Sequence, residues 1–221
     1  MMDMNAIRIR EAADELLLDH ARGAASAPVD LLVATHVALN PAARRRHRCL
    51  EAVGGAMLDT IEPVATAPDA LERLFARIDA GHAAEPARAM PAGEERFPAA
   101  LRARMPGGLD ALPWRQVTRG VHEAALGVED GPQKASLLRI AAGRAIPRHT
   151  HRGDEMTLVL EGDFSDEHGR YARGDLAVAD GSIEHQPVAG TAGDCLCLVV
   201  TSAPIRLTGR LLRLLNPFLP R

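Results

Sequence analysis

Three absences bound this chain of 221 residues before any motif is read. Cysteine is scarce: Cys49, Cys195 and Cys197 are all there is, too few and odd in number for the disulfide framework of a small secreted domain, so reduced thiols are expected. Long apolar runs are missing as well. No stretch reaches the roughly 18 apolar residues that a membrane-spanning helix needs, and Asp3, Arg8, Arg10 and Glu11 interrupt the first turns where a signal peptide would be apolar. The expected compartment is the cytoplasm, with no membrane attachment. Positive charge is not in excess either. The formal net charge is -3, whereas direct nucleic-acid binding draws on lysines and arginines that neutralise phosphates. A protein partner is the better expectation.

Hydrophobic residues make up 47% and charged residues 25%, the balance of a globular protein with enough apolar side chain for a core. The length suits one large domain or two modest ones, and the two halves differ in pattern. Residues 1–85 show helical periodicity. A first helix is expected over about Ile7 to Arg22, ended by Gly23, and a second from Pro28 to the Asn40-Pro41 break. A third runs from there to Met57 and a fourth from about Pro68 to Ala80, with Leu71, Leu74, Phe75 and Ile78 apolar. Together they predict a small helical bundle. Residues 86–113, rich in Pro, Gly and Ala, read as a linker with one short helix near Phe97 to Arg104. Over 114–221, short apolar runs lie near Val117 to Ala124, Ala135 to Ala141, Glu155 to Leu160, Leu176 to Ala179 and Cys195 to Thr201. Gly, Pro and Asp separate them, which predicts an all-β sandwich or barrel. The fold class expected is α+β, with the two kinds of element in separate domains.

The densest chemistry falls in the second half. His149, His151 and Glu155 share one parity, so on a single β-strand their side chains point the same way. His185 can join them from a neighbouring strand, because Glu167-His168-Gly169-Arg170 and Ala179-Asp180-Gly181-Ser182 fold the chain back. Three imidazoles and one carboxylate suit a divalent transition metal, whether zinc, iron, manganese, nickel or copper. The competing reading, a polar barrel mouth without metal, leaves four inward polar groups to be satisfied in an apolar barrel, at a cost.

Other residues carry weaker signals. Cys195 and Cys197 are expected on opposite faces of a strand, each alone, as small buried residues or as thiols near the metal. Cys49, beside Leu50, is expected in the helical core. The run Arg44-Arg45-Arg46-His47-Arg48 is either a solvated helix start or a surface for an acidic partner. Glu161, Asp163, Asp166 and His168 read as a solvated charged turn. No catalytic base or nucleophile stands out beyond the ligands.

The spacing Gly143, His149, His151, Glu155, Gly162 closely resembles the first cupin motif, and Gly174 with His185 resembles the second. Asp180, Ser182 and Ala189 depart from the second motif at turn and scaffold positions. Taken whole, the chain resembles the ChrR family of anti-sigma factors, a helical anti-sigma domain followed by a cupin. In the first half the likeness rests on Leu31-Leu32-Val33-Ala34-Thr35-His36, on Leu50-Glu51-Ala52-Val53-Gly54-Gly55-Ala56-Met57 and on Glu62-Pro63-Val64-Ala65. In the second it rests on the cupin ligands, on Thr157-Leu158-Val159-Leu160-Glu161-Gly162 and on Asp194-Cys195-Leu196-Cys197-Leu198.

The resemblance implies a regulator, not an enzyme. It would hold an extracytoplasmic-function-type sigma factor and release it on an oxidative signal such as singlet oxygen, with zinc in the cupin. The family also carries a structural zinc on an early histidine and a His-x-x-x-Cys-x-x-Cys run. The matching positions here are Glu11, His36, Asn40 and Ala43, so the helical domain is expected to fold without zinc. A ligand set of Glu11, His36 and His47, with Cys49 nearby, is the alternative. His36 is otherwise a helix-facing residue hydrogen-bonded within the bundle. A second reading of the whole chain is a small metallocupin enzyme, a dioxygenase or isomerase, with a helical dimerisation domain. Homodimerisation of the free chain stays open.

Overall fold

A computed structural model describes residues 14–80 and 93–208. Glu11, the start of the first candidate helix and residues 86–92 of the expected linker lie outside the described residues. Helix α1 covers residues 14–21 and gives way at Gly23, whose φ is +69°. Helix α2, Ala27–Leu39, carries Pro28 in its first turn, where a missing N–H costs nothing. It stops at Asn40, which the following proline forces into extended backbone (φ -108°, ψ 112°). The Asn40 side-chain oxygen then accepts the N–H groups of Ala42 and Ala43 and caps helix α3, Pro41–Leu58. Helix α4 is Ala70–Asp79.

Residues 93–113 form turns that pack. A 3-10 turn at Glu94–Arg96, the short helix α5 at Ala99–Arg102 and a second 3-10 turn at Leu109–Ala111 bury Phe97, Leu101, Met105 and Leu109 in the main core. The prolines and glycines of this stretch set the corners between the turns, and the apolar residues between them supply the adhesion.

Among the described residues eleven strands follow: β1 Arg115–Thr118, β2 Val121–Asp130, β3 Gln133–Ile140, β4 His149–His151, β5 Glu155–Glu161, β6 Asp163–Asp166, β7 Gly169–Ala172, β8 Leu176–Ala179, β9 Val188–Ala189, β10 Cys195–Thr201 and β11 Ile205–Leu207. They make a six-stranded antiparallel sheet in the order β1-β2-β3-β10-β5-β8, a three-stranded sheet β7-β6-β9 and a pair β11-β4. The single strand expected near Val117 to Ala124 is instead the β1–β2 hairpin, because the chain turns at Arg119-Gly120. The strands β6, β7, β9 and β11 were not foreseen, and β4, expected to run on to Glu155 as one strand, is separate from β5; each of the five is four residues or fewer.

The large sheet is buried on both faces at β5 and β10. In β5 and β10, Met156, Leu158, Leu160, Leu196, Leu198 and Val200 join α2, α5 and Leu17 of α1 in one core. The opposite parity, Val159, Cys195, Cys197 and Val199, meets Val121, Ile140, Phe164, Tyr171 and Ala189 inside the barrel. Helix α2 therefore lies directly on β2, β3 and β10. The chain has the expected class, N-terminal helices followed by a sheet-rich cupin.

Leu32, fully buried between α2 and the sheet, measures that contact. Leu32→Ala should cost about 2–5 kcal/mol in urea unfolding, the range for a large buried side chain cut back to a methyl. A loss under ~1 kcal/mol would mean that α2 is not held by the sheet in solution.

Candidate metal centre

The four predicted ligands converge, by a route the sequence did not show. His149 and His151 lie on β4, which pairs with β11, whereas Glu155 opens β5 in the large sheet. The turn at Arg152-Gly153-Asp154 separates them, so they do not share one strand. His185 comes opposite His149 as a β-bridge, with backbone N–H to O distances of 3.0 Å in both directions. One ligand atom from each of the four residues lies within 4.8 Å of those of the others. Among the described residues no other group of three or more His, Cys, Asp or Glu converges in this way.

Hydrogen bonds fix which nitrogens face inward. His149 donates its Nδ1 proton to the Pro147 carbonyl at 2.8 Å, and His185 donates its Nδ1 proton to Asp166 at 2.9 Å. Both rings therefore turn an unprotonated Nε2 to the centre. The Nε2 of His185 stands 3.2 Å from that of His149 and 3.1 Å from that of His151. The lone pairs of His149 and His185, aimed at each other, repel unless a cation lies between them. A tetrahedral ion about 2.0–2.1 Å from each nitrogen would space them about 3.3 Å apart. Glu155 brings the negative charge such an ion would neutralise; Thr157 donates to it at 3.3 Å. Donor set and spacing fit a divalent transition metal.

The electrostatics agree. Burial pushes His149 down to about 4 and His151 down to about 3, the neighbouring imidazoles adding to the effect at His151. Burial pushes the Glu155 carboxyl up. At Asp166 burial works against the charge, but the hydrogen bonds from His185 and the His168 backbone outweigh it and hold the carboxyl below its usual range. Asp166 is thus no solvated turn residue. It orients a ligand from β6, where it shares the inward parity of Phe164; that parity is the signal sequence reading passed over.

A cavity of about 30 Å³ adjoins the ligands. Leu138, Ile140, Ile146, Phe164, Ala177 and Ala179 form its apolar wall, with Glu155, His185 and Cys197 at its polar side. A water needs about 10–15 Å³, so one or two water-sized guests fit. Cys195 and Cys197 do not face opposite ways: their sulfurs are 3.6 Å apart inside the barrel. The strand period is two, which places residues i and i+2 on one face. Both thiols are free, and the Cys195 contact, with burial and Glu155, pushes the Cys197 thiol up.

The helical residues also differ from expectation. Cys49 is exposed on α3, not in the core. His36 is buried, and its Nδ1 donates to the cupin carbonyl of Gly174 at 3.0 Å, outside the helical group. Asn40 donates to the same oxygen at 3.1 Å, and Ala43 is buried. His47 lies beside His20 and Glu51, so it does not converge with His36. In the basic run, Arg44 bonds the Val37 carbonyl and Arg46 pairs with Asp14, leaving Arg45 and Arg48 exposed.

These features meet their relatives closely. The ChrR cupin-like domain family matches residues 103–204, all four ligands included. The anti-sigma-E factor ChrR of Cereibacter sphaeroides is 40% identical over 206 residues, 93% of this chain and 95% of that one. The chain belongs to the ChrR family. A chain in the crystal structure of Rhodobacter sphaeroides SigE in complex with the anti-sigma ChrR superposes with a TM-score of 0.73 at 38% identity, covering 85% of this chain and 96% of that chain. For this ChrR-family member, no helix among the described residues is long and apolar enough to cross a membrane.

Two outcomes follow from the geometry. The wild type should bind one metal per chain by elemental analysis, His149→Ala with His151→Ala should bind none, and Asp166→Asn should weaken binding by about 10–100-fold. Undiminished affinity in Asp166→Asn would remove Asp166 from the site.

The second concerns pH. In metal-stripped protein, folded His149 and His151 stay neutral down to about 4 and about 3, whereas an unfolded histidine takes its proton near 6.5. Protons then bind the unfolded chain preferentially, so stability should fall as pH drops from about 6.5 towards about 4. Glu155, with its raised carboxyl, works in the opposite sense, and Glu155→Gln should steepen the fall. A flat urea midpoint across that window would contradict the burial of neutral imidazoles.

Proposed function

We propose that this chain is an anti-sigma factor of the cytoplasm that binds an extracytoplasmic-function-type sigma factor and releases it on an oxidative signal received by the cupin. The observation that carries the reading is the outer face of the helices. On α3, Val53, Met57 and Leu58, and on α4, Leu71, Leu74, Phe75 and Ile78, are each more than half exposed. Helix α4 buries no residue at all. A soluble chain rarely keeps so much apolar surface in water unless a partner covers it, and the relative that shares 40% identity is an anti-sigma factor.

Three parts divide the work in this reading: residues 1–85 grip the sigma factor, 86–113 connect, and 114–221 carry the metal and the signal. His149, His151, Glu155 and His185 hold the metal, and zinc suits their borderline nitrogen and oxygen donors. Four protein ligands leave a coordination position for a small molecule, and the cavity that Glu155, His185 and Cys197 line adjoins it. The helices need no zinc of their own, since Asn40 and Ala43 stand where the family resemblance places thiolates. The enzyme reading is not favoured: the relative of matching length is a regulator, and an enzyme gives no reason for the bare α3–α4 face.

Co-expression of the full chain with each extracytoplasmic-function sigma factor of its own organism should yield a one-to-one complex with one of them and silence its transcription in vitro. Under singlet oxygen the wild type should let go, while His149→Ala should bind as well and release less. Equal release by wild type, His149→Ala and Cys197→Ser would deprive the metal site of a sensory role.

A further inference from the structure

The corner between α2 and α3 rests on one carbonyl of the cupin. His36, in the last turn of α2, donates to Gly174 O at 3.0 Å, and Asn40, between the helices, donates from Nδ2 to the same oxygen at 3.1 Å. A carbonyl offers two lone pairs, so the pair of donors fills it. The other end of the Asn40 amide accepts from Ala42 and Ala43 at 2.9 and 3.1 Å. One side chain thus ties the first turn of α3 to the cupin backbone.

Gly174 is shaped for this contact. Its φ is +87°, and a Cβ there would stand 3.3 Å from the Leu39 carbonyl oxygen at the end of α2, so both its backbone and the approaching helix favour glycine. It is also tied to the metal ligands. The N–H of Gly174 donates to Val159 O at 2.8 Å and the N–H of Val159 to Asp175 O at 3.1 Å. Farther along the same two strands Glu155 pairs with Ala179. Helix α3 buries Ala43 alone and packs on α2; with so little burial of its own, its pose depends on how this corner is held.

We propose that Asn40 and His36 are positioning residues that fasten the sigma-binding helices to the cupin through Gly174. The inference rests on the anti-sigma reading for its function, though not for its geometry. It makes the cupin part of the grip: the apolar α3–α4 face is presented correctly only while Gly174 stays where the β5–β8 ladder holds it.

Asn40→Asp separates the joint from the cap. Aspartate caps a helix as well as asparagine, but it puts a carboxylate oxygen against the Gly174 carbonyl in place of the donor. Asn40→Ser likewise caps while falling short of Gly174. In full-length protein both should keep the helicity and metal content of the wild type, yet bind the sigma factor found by co-expression about tenfold more weakly. Spin labels on native Cys49 of α3 and on Ser165→Cys of β6 should report a narrow distance distribution in wild type and a broadened one in both variants. Wild-type affinity and an unchanged distribution in both would overturn the joint. Failure of the wild type to bind any sigma factor would instead overturn the anti-sigma reading, and the spin-label distances would still decide the joint.

Discussion

The two-residue period of β5 and β10 is the constraint on which the rest depends. Each strand sends one parity to the helices and the other into the barrel, so one short stretch of sequence must satisfy two different neighbours at once. Leu198 and Val200 of β10, one of the strands on which α2 lies, and Leu158 of β5 are large or branched apolar residues of the core they share with α2. On the barrel side the smaller Cys195 and Cys197 share a cluster with the stacked rings of Phe164 and Tyr171. A register slip of one residue would exchange these sets and drive leucines into the space beside the ligands. The pairing of β10 with β5 shifts register between Leu196 and Cys197, and from Cys197 to Thr201 the two parities face each other in step.

The same alternation decides what the metal centre can be. Glu155 and Thr157 take the barrel parity of β5, which brings a carboxylate into an apolar enclosure that three imidazoles share. Burying such a charge unpaired costs several kcal/mol or shifts the proton equilibrium, and here both the raised Glu155 and the lowered His149 and His151 show the shift. A dication resolves all of these at once, because it pairs the carboxylate and accepts the lone pairs that the Pro147 and Asp166 hydrogen bonds aim inward. The thiols beside it are not poised as nucleophiles. Cys197 is buried against Cys195 and held protonated, so chemistry at that wall would have to begin with something that enters the cavity.

The four converging side chains and the helix order were legible in the sequence because each rests on a local rule. The spacing from His149 to Glu155 fixes donor types without needing to know the sheet, and Pro28, Asn40-Pro41 and Gly23 mark helix ends by backbone sterics alone. What could not be read depends on contacts distant in sequence. Asp166 reaches His185 across 19 residues, and His36 reaches Gly174 across 138. The packed turns at Phe97 and Leu101 sit among prolines and glycines that signal irregular chain and say nothing about burial. The expectation for Cys195 and Cys197 is a different matter: the parity rule that grouped the histidines, applied to these two, places them together, as the 3.6 Å contact shows.

A chain that must hold a partner and then let go needs two states that differ in how well they bind. An apolar face as bare as that of α3 and α4 binds through area, and area by itself has no switch in it. The switch has to act on where the face is held. In this fold the helices contribute few of their own constraints: α4 buries nothing, α3 buries Ala43, and α2 owes its position to the sheet beneath it. Restraints on that face run partly within the helices, through Arg46 with Asp14 and His47 with His20, and partly through the cupin, by α2 on β2, β3 and β10 and by the carbonyl of Gly174. Strand β5 carries Glu155 and pairs with the strand that Gly174 introduces on its edge. On the anti-sigma reading proposed above, a signal at the Glu155 site would reach the helices through that one strand.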